Sequence, residues 1–399
     1  MTIGPGMRKT ALPKGFRVSG VNCGVRRYRP DLGVIISDRD AVGVGVYTQN
    51  EYKAAPVLYC QGITPSDGIR AIVTNSGQAN AATGPTGVEA NARMAASVAE
   101  SLGCRSTQVL TASTGVIGTP MEIEKIVASI PELLARATDS AEAFALAILT
   151  TDLIPKTVTT QVELSGGSVC ITGICKGSGM IHPNMATMLG YLLTDATLSV
   201  EVAQSCLREA ADLSFNMISV DGETSTNDTV FLLANGASGV SVTSESDLVL
   251  FQSALVELAQ ILAQSIARDG EGSTKLIEVE LNGAPTQELA RQAARGITIS
   301  PLIKAAIHGE DPNWGRILAR LGADGIPGDS LDQLTLAIQG IKVMELGVPV
   351  LFDRAAARAR LKGDTVNITI DLPGGEGSAK AWGCDLSQKY VVINAEYTT

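Results

Sequence analysis

A glycine-rich loop that runs into an apolar segment, residues 176–190, constrains this 399-residue chain more than any other stretch. Gly177 and Gly179 permit backbone conformations that other residues avoid, while Pro183 fixes its own φ and restricts the residue before it. We therefore expect an irregular, tightly held loop over the first part of this stretch. Thr187 lies where the loop gives way to regular structure, which is where a strained nucleophile is expected.

The hydroxyl of Thr187 is a weak nucleophile until a base removes its proton, and a threonine at a chain N-terminus can use its own α-amine as that base. Such a base requires cleavage between Ala186 and Thr187, in which Oγ attacks the preceding carbonyl and the resulting ester is hydrolysed. A small residue before the bond and the nearby glycines suit the bend that this attack needs. The alternative is an ordinary turn in a non-catalytic binding or scaffold protein.

Histidine and cysteine usage argues against several other kinds of site. The chain has two histidines, His182 and His308, which poorly supply a zinc site or a Ser–His–Asp triad. Its seven cysteines are odd in number and scattered, without a C-x-x-C pair, so we interpret them as reduced, mostly buried thiols. We therefore expect no metal site and a nucleophile that carries its own base.

Charge and hydropathy argue against nucleic-acid and membrane partners. The formal net charge is -10, and no basic stripe exists to neutralise phosphates, whereas small cationic or zwitterionic substrates fit. Residues 1–16 lack the apolar core of a signal peptide. Residues 248–267 are apolar but carry polar side chains at helical intervals, which predicts an amphipathic helix rather than a membrane span. We expect a cytoplasmic protein.

The chain of 399 residues exceeds one compact core, so we expect two or three subdomains, and the spacing of its apolar residues predicts both helices and strands. Residues 88–102 have helical spacing and end at Gly103, and residues 200–215 form a second helix that Ser199 can cap. Other helices are expected at residues 120–135, 140–150, 287–295 and 302–307. Strands are expected at residues 33–37, 42–47, 69–74, 108–111, 157–164, 168–174, 217–220, 229–234, 276–281, 334–351 and 366–372, and a loop at 373–378.

Residues 176–190 resemble the signature of the ornithine acetyltransferase family, arginine-biosynthesis enzymes that cleave themselves before this threonine. Further motifs similar to those of the family occur in the same order over nearly the whole chain, which makes accidental matching very improbable. They are residues 73–80, 113–118, 150–152, 221–228, 269–272, 309–316 and 393–399.

The resemblance implies an α/β fold, a layered sheet-and-helix sandwich of the self-processing ornithine acetyltransferase and aminopeptidase type. A C-terminal α+β subdomain is expected over about residues 280–399. Cleavage would give an α chain, residues 1–186, and a β chain, residues 187–399, which stay in one folded unit. The family also suggests a heterotetramer of two α and two β chains.

The reaction that the resemblance implies transfers the acetyl group of N2-acetylornithine to glutamate through an acetyl ester on Thr187. It assigns the oxyanion hole to Thr114 and Gly115, although spacing alone favours an ordinary strand-to-helix turn there. No cofactor is implied. The residues leave open whether acetyl-CoA also serves as an acetyl donor, which separates bifunctional from monofunctional members.

Substrate contacts are carried over from the family onto a set of polar residues, which are Thr150, Thr151, Lys176, Thr187, Glu271, Asn394 and Thr399. Lys176 would bind a substrate carboxylate and Glu271 the ornithine ammonium; the alternatives are a solvated surface lysine and a solvated turn. The adjacent threonines leave the first contact ambiguous by one residue. Asn394 and Thr399 lie in a tail that must fold into the cleft, although chain termini are frayed by default.

A second enzyme class competes with this interpretation. A self-cleaving aminopeptidase or amidase of the same fold would pass the acyl group to water instead of to an amino acid. A binding pocket for glutamate as acceptor would distinguish the transferase from such a hydrolase.

Overall fold

The computed structural model describes residues 10–182 and 188–396, and two β-sheets with helices packed around and between them make up its framework. The strands of this part of the chain, in sequence order, are β1 (Phe16–Val21), β2 (Leu32–Tyr47), β3 (Ser66–Gln78), β4 (Val109–Val116), β5 (Lys156–Leu164), β6 (Gly167–Lys176), β7 (Leu189–Thr194), β8 (Ile218–Ser219), β9 (Thr229–Ala234), β10 (Leu276–Ala284), β11 (Thr335–Ile338), β12 (Ile341–Glu345), β13 (Val348–Pro349), β14 (Thr365–Asp371) and β15 (Gly377–Cys384).

The α-helices begin and end near residues that favour those positions. Gly103 adopts the left-handed conformation after α2, and the Ser199 side chain accepts a hydrogen bond from the Val202 N–H at the start of α5, as predicted. The helices of the described residues are α1 (Ala55–Ile63), α2 (Gly84–Leu102), α3 (Ile123–Ala135), α4 (Glu142–Ala147), α5 (Val200–Asp212), α6 (Glu245–Arg268), α7 (Gln287–Ile299), α8 (Pro301–His308), α9 (Trp314–Ala323), α10 (Gly328–Leu331), α11 (Arg354–Arg360) and α12 (Gln388–Glu396).

The first sheet mixes strands from both sides of the predicted cleavage point. Its order is β4-β3-β2-β9-β7-β6-β5, with β1 also beside β2. β7 and β9 follow residue 187 in the chain, yet β7 pairs antiparallel with β6 and β9 pairs antiparallel with β2. The strands predicted over residues 157–164 and 168–174 are confirmed as β5 and β6, which pair as an antiparallel hairpin. Each part of the chain therefore depends on the other for its ladder hydrogen bonds.

The second sheet is built from later residues together with one short earlier strand. Its order is β13-β12-β11-β14-β10-β15-β8, so β15 lies inside the sheet, antiparallel to β10 and parallel to β8. The predicted loop over residues 373–378 is wrong at its end, because β15 begins at Gly377. The single run predicted over residues 334–351 forms three short strands, β11 to β13, joined by tight turns.

Helix α6 packs between the two sheets. It contacts β5 and β6 on one side and β10 and β15 on the other, and its buried residues include Phe251, Leu255, Leu258 and Leu262. By length and composition alone, α6 is the one described helix that could cross a membrane, a criterion that buried core helices also meet. The packing of α6 in the core agrees with the predicted amphipathic helix. Residue 271, which lies shortly after its end, lines the cleft described below.

Candidate active site

One cleft brings together all the predicted site residues that the structure describes. Its open volume is about 880 Å³. The predicted residues that line it are Thr114 and Gly115 from the end of β4, Thr150 and Thr151 between α4 and β5, Lys176 at the end of β6, Glu271 after α6, and Asn394 on α12. The predicted residues Ala186, Thr187 and Thr399 lie outside the described residues. Met188, which follows Thr187 in the chain, lines the same cleft.

The turn at Thr114 and Gly115 is fixed by the parallel pairing of β3 and β4. Gly77 is the register partner of Gly115, whose φ of 134° lies in a region that other residues rarely adopt. A Cβ at Gly115 would also lie 2.3 Å from the carbonyl carbon of Gly77. Glycine is therefore required at position 115, and the backbone reaches the cleft at the carboxyl ends of two neighbouring strands.

The Lys176 side chain is buried at the cleft and has few partners. The residue is 7% exposed, so the alternative of a solvated surface lysine is wrong. Among the described residues its Nζ donates one long hydrogen bond, 3.4 Å, to Oγ1 of Thr114, and lies 4.0 Å from Oδ2 of Asp152. A lysine ammonium has three donors, so this one retains hydrogen-bonding capacity for an anion in the cleft.

Glu271 faces the cleft with one carboxylate oxygen anchored. Asn394 Nδ2 donates to Oε2 of Glu271 at 2.8 Å, which ties helix α12 to the segment after α6. Among the described residues Oε1 of Glu271 accepts no hydrogen bond that the structure shows, although the residue is only 7% exposed. The alternative of a solvated turn is therefore wrong for Glu271, and its carboxylate retains an acceptor for a cation.

The loop between α4 and β5 places both candidate threonines at the cleft. The N–H of Thr150 donates to Oδ2 of Asp152 at 3.2 Å, and the Arg26 guanidinium donates to the Thr150 carbonyl at 3.5 Å. Thr151 also lines the cleft. The ambiguity between Thr150 and Thr151 therefore remains.

Asp221 holds the segment that leads into the predicted cleavage loop. Its carboxylate accepts hydrogen bonds from the N–H groups of Met180 at 2.6 Å and Ile181 at 2.8 Å. Met180 adopts the left-handed conformation, with φ 55°, which these bonds support. Burial raises the pKa of the Asp221 carboxyl, against hydrogen bonds that lower it. Asp221, the first residue of the family-like motif at 221–228, therefore fixes the backbone just before the predicted cleavage loop.

His182, the last described residue before the loop, is held by neutral and cationic neighbours. Its Nδ1 lies 3.3 Å from Oγ of Ser219, and Nη2 of Arg295 lies 3.0 Å from its Nε2. Burial, followed by repulsion from Arg295, lowers the pKa of His182 to about 4. The imidazole is therefore neutral at pH 7.

Residues 10–182 and 188–396 contain no group of three or more His, Cys, Asp or Glu side chains that could hold a metal ion. All seven cysteines are free thiols, and burial raises the pKa of both Cys60 and Cys175 to about 12. The Lys176 ammonium and the Glu271 carboxylate of the cleft suit a small molecule that carries both charges.

Comparison with known proteins decides the family, because the ArgJ family model matches residues 17–399. The chain belongs to the ArgJ family. ArgJ relatives include the arginine biosynthesis bifunctional protein ArgJ of Thermosynechococcus vestitus, 46% identical over 97% of each chain. The chloroplastic ArgJ of Oryza sativa subsp. indica is 47% identical over 97% of this chain and 86% of its own. The predicted family is confirmed, and with it the predicted class of acyltransferase in arginine biosynthesis.

A solved ArgJ structure supports the fold. The crystal structure of ArgJ from Bacillus halodurans matches with a TM-score of 0.51 and 42% identity, covering 53% of this chain and 100% of its own. Together with the two sheets and the helix between them, this match confirms the predicted layered α/β class.

Proposed function

We propose that this ArgJ-family chain transfers the acetyl group of N2-acetylornithine to glutamate through an acetyl ester on Thr187. It releases ornithine and N-acetylglutamate, and it also acetylates glutamate with acetyl-CoA as an alternative donor. The name of the relatives, which describes them as bifunctional arginine-biosynthesis proteins, supports the pair of activities. Acetyl-CoA is a co-substrate in this scheme, and no bound cofactor takes part.

The observation that carries the proposal is the pairing of a buried cation with a buried carboxylate in one cleft. N2-acetylornithine has an α-carboxylate and a side-chain ammonium, which are complementary to the ammonium of Lys176 and the Oε1 oxygen of Glu271. The turn of Thr114 and Gly115 lines the same cleft, as does Met188 beside Thr187 in sequence. This lining supports a site that pairs with both charges of the donor and stabilises the oxyanion of its acetyl amide.

The chemistry proceeds in two acyl transfers on Thr187. Its Oγ attacks the acetyl carbonyl while its α-amine takes the proton, and the developing oxyanion is stabilised by Thr114 and Gly115. The α-amine then gives the proton to the leaving nitrogen, and ornithine departs. Glutamate next attacks the ester with its amine, the α-amine of Thr187 takes that proton and returns it to Oγ, and N-acetylglutamate is released.

We propose that cleavage between Ala186 and Thr187 supplies this α-amine and gives an α chain, residues 1–186, and a β chain, residues 187–399. The strand order supports a stable product, because β7 and β9 of the β chain pair with β6 and β2 of the α chain. The share of this chain that matches the complete Bacillus halodurans chain, 53%, also agrees with residues 187–399, which are slightly more than half of the chain. Residues from about 280 onward form the C-terminal α+β subdomain of the β chain.

We further propose an assembly of two α and two β chains and a location in the cytoplasm. The assembly is tested by the molar mass of the purified protein in sedimentation equilibrium. A mass of a single α and β pair contradicts the heterotetramer.

The decisive experiment compares the wild-type protein with Thr187→Ala by intact mass and N-terminal sequencing. The wild type should yield two fragments, one of which begins at Thr187, and the variant should stay as one chain. Thr187→Ser, which keeps a hydroxyl, serves as the matched control and should still be cleaved. An uncut wild-type chain contradicts the mechanism, because no α-amine is then available as the base.

Acceptor choice separates the transferase from a hydrolase of the same fold. Wild-type protein is incubated with N2-acetylornithine, with and without glutamate, and ornithine release is followed. Release that depends on glutamate, together with N-acetylglutamate formation from acetyl-CoA, supports the bifunctional transferase. Equal release without glutamate assigns the acetyl group to water and contradicts the proposal.

A further inference from the structure

A buried ion network lies beside the cleft and outside the set of predicted site residues. The Lys156 ammonium lies 2.7 Å from Oδ1 of Asp152 and 2.6 Å from Oδ2 of Asp269. The side chains of Lys156 and Asp152 are 0% exposed, and that of Asp269 is 5% exposed. Burial alone raises the pKa of Asp152, but attraction from Lys156 and Lys176 outweighs it and holds that pKa below its ordinary value.

Lys156 has no capacity left for a ligand. Its three ammonium protons have three acceptors, because Nζ also lies 3.3 Å from the carbonyl oxygen of Ile154. Lys176 differs, since it has one long hydrogen bond and one distant ion pair among the described residues. Lys156 therefore binds only groups of the protein itself, whereas Lys176 can also bind a ligand in the cleft.

The Asp152 end of the network fixes the loop of the candidate threonines and the end of β6. Oδ2 of Asp152 accepts the N–H of Thr150 at 3.2 Å and lies 4.0 Å from Nζ of Lys176. Oδ1 of Asp152 accepts the N–H of Gly177 at 2.7 Å. One carboxylate thus holds two of the segments that deliver residues to the cleft, the loop before β5 and the end of β6.

The Asp269 end of the network fixes the segment after α6. The carbonyl of Asp269 accepts a hydrogen bond from Oγ of Ser178 at 2.6 Å, and the carbonyl of Ser178 accepts the N–H of Glu271 at 2.9 Å. Glu271 lies two residues after Asp269 and Ser178 two residues after Lys176. The same buried lysine therefore links the segment of the cleft cation to the segment of the cleft carboxylate.

We propose that Lys156, held between Asp152 and Asp269, is a positioning residue that sets the separation of Lys176 and Glu271 and thereby selects the length of the diamino-acid donor. The inference rests on the proposed function, in which these two residues bind the opposite charges of N2-acetylornithine. N2-acetyllysine carries the same two charges with one more methylene between them. A rigid site distinguishes ligands that differ by one methylene by about 10- to 200-fold, and a site whose charges can shift apart does not.

The network has the composition expected of a positioning device. The two carboxylates of the network, Asp152 and Asp269, are balanced in charge by Lys156 and by the neighbouring Lys176 of the cleft. A buried ion pair stabilises a fold little more than apolar side chains of the same volume, because both ions lose their hydration. A fixed geometry is what such a network adds, since its hydrogen bonds allow a single arrangement of the three segments.

The test is a double variant, Lys156→Met with Asp269→Asn, assayed in the full-length cleaved enzyme. It removes one charge of each sign, leaves Asp152 beside Lys176, and keeps a side-chain acceptor for the Leu153 N–H that now binds Asp269 at 3.0 Å. We expect self-cleavage and a melting temperature close to wild type. KM for N2-acetylornithine should rise about tenfold with a smaller change in kcat, and the preference over N2-acetyllysine should fall about tenfold.

The matched control is Lys342→Met with Glu345→Gln, a half-exposed ion pair on β12, which should leave both KM and donor preference unchanged. Ser178→Ala tests the same link without altering a buried charge, because it removes only the hydrogen bond to the Asp269 carbonyl. Its donor preference should also fall.

Outcomes for the inference and for the proposed function are distinguishable. Wild-type preference in both the double variant and Ser178→Ala, with wild-type transfer intact, overturns the inference and leaves the network a purely structural role. A lowered melting temperature with unchanged KM leads to the same conclusion. A wild-type enzyme that does not transfer acetyl from N2-acetylornithine to glutamate overturns the proposed function, and the inference with it.

Discussion

Replacing Gly179 by alanine places a methyl group where the Glu271 carboxylate now lies. A Cβ built at Gly179 is 2.4 Å from Cδ and Oε1 of Glu271, and 2.5 Å from Oε2, whereas ordinary contacts begin at 3.4 Å. The carboxylate must therefore move by about 1 Å. Gly179 is not among the glycines with a left-handed φ, so the backbone itself tolerates alanine. The clash involves the far end of a flexible side chain, and we expect the fold to survive.

The consequence should appear in substrate affinity. The displaced carboxylate loses its 2.8 Å hydrogen bond from Asn394 and its alignment with the donor ammonium. A hydrogen bond to a charged group contributes about 1.5–3 kcal/mol, and about 1.4 kcal/mol corresponds to a factor of ten. We therefore expect KM for N2-acetylornithine to rise by about 10- to 100-fold in Gly179→Ala, with a much smaller change in melting temperature.

The assay begins with intact mass, which shows whether the variant has cleaved itself, and continues with initial rates at varied N2-acetylornithine. Gly62→Ala is the matched control, because no atom lies within 4 Å of a Cβ at that position on helix α1. An unchanged KM in cleaved Gly179→Ala would refute the reasoning. It would mean that the Glu271 carboxylate is not the partner of the donor ammonium.

Two further substitutions test the surroundings of the cleft. Asn394→Ala should raise KM for N2-acetylornithine by about tenfold, because the Glu271 carboxylate loses its anchor; Asn394→Gln is the comparison, and equal KM values in all three proteins contradict this role. With a folded pKa of about 4 against an ordinary 6.5, His182 binds a proton in the unfolded state before it does in the folded state. Stability should therefore fall as pH falls from about 6.5 to 4, and His182→Gln should flatten this part of the curve of melting temperature against pH, whereas parallel curves contradict the assignment.

Elements with local signals were predicted from the sequence. The hairpin of β5 and β6 follows from two alternating runs around a glycine turn. The end of α2 at Gly103 and the start of α5 at Ser199 follow from residues whose backbone or side chain suits those positions. In each case the interaction that fixes the element lies within a few residues of it.

Elements held by distant partners were not predicted. β15 contains Gly377 and Gly383 and shows no clear alternation, yet it forms because β10 and β8 supply its ladder. Helix α12 packs no buried face against the protein, and its short apolar run, residues 390–393, lacks the helical spacing that predicts a helix. It is held instead by polar contacts, such as the 2.6 Å hydrogen bond from Oγ of Ser387 to the carbonyl of Gly272.

The cleft likewise contains residues that the sequence could single out and one, Lys156 beside it, that depends on a distant partner. Family resemblance singled out its polar residues, and the structure places all the described ones around one space. The role of Lys156 had no signal in the sequence, because it begins a strand and its partner Asp269 is 113 positions away. A buried ion pair of this range depends on the tertiary fold, and no local pattern predicts it.

The strand order also explains how a chain can be cut within its catalytic loop and stay folded. The proposed cleavage lies between β6 and β7, which are antiparallel neighbours with Lys176 opposite Leu189 and Ile171 opposite Thr194. A break in the connection between two paired strands removes none of their ladder hydrogen bonds. β7 is also held on its other side by β9, so the new chain terminus begins directly before a strand fixed along both edges. The α-amine that we propose as the base can therefore be created by cleavage without dismantling the sheet.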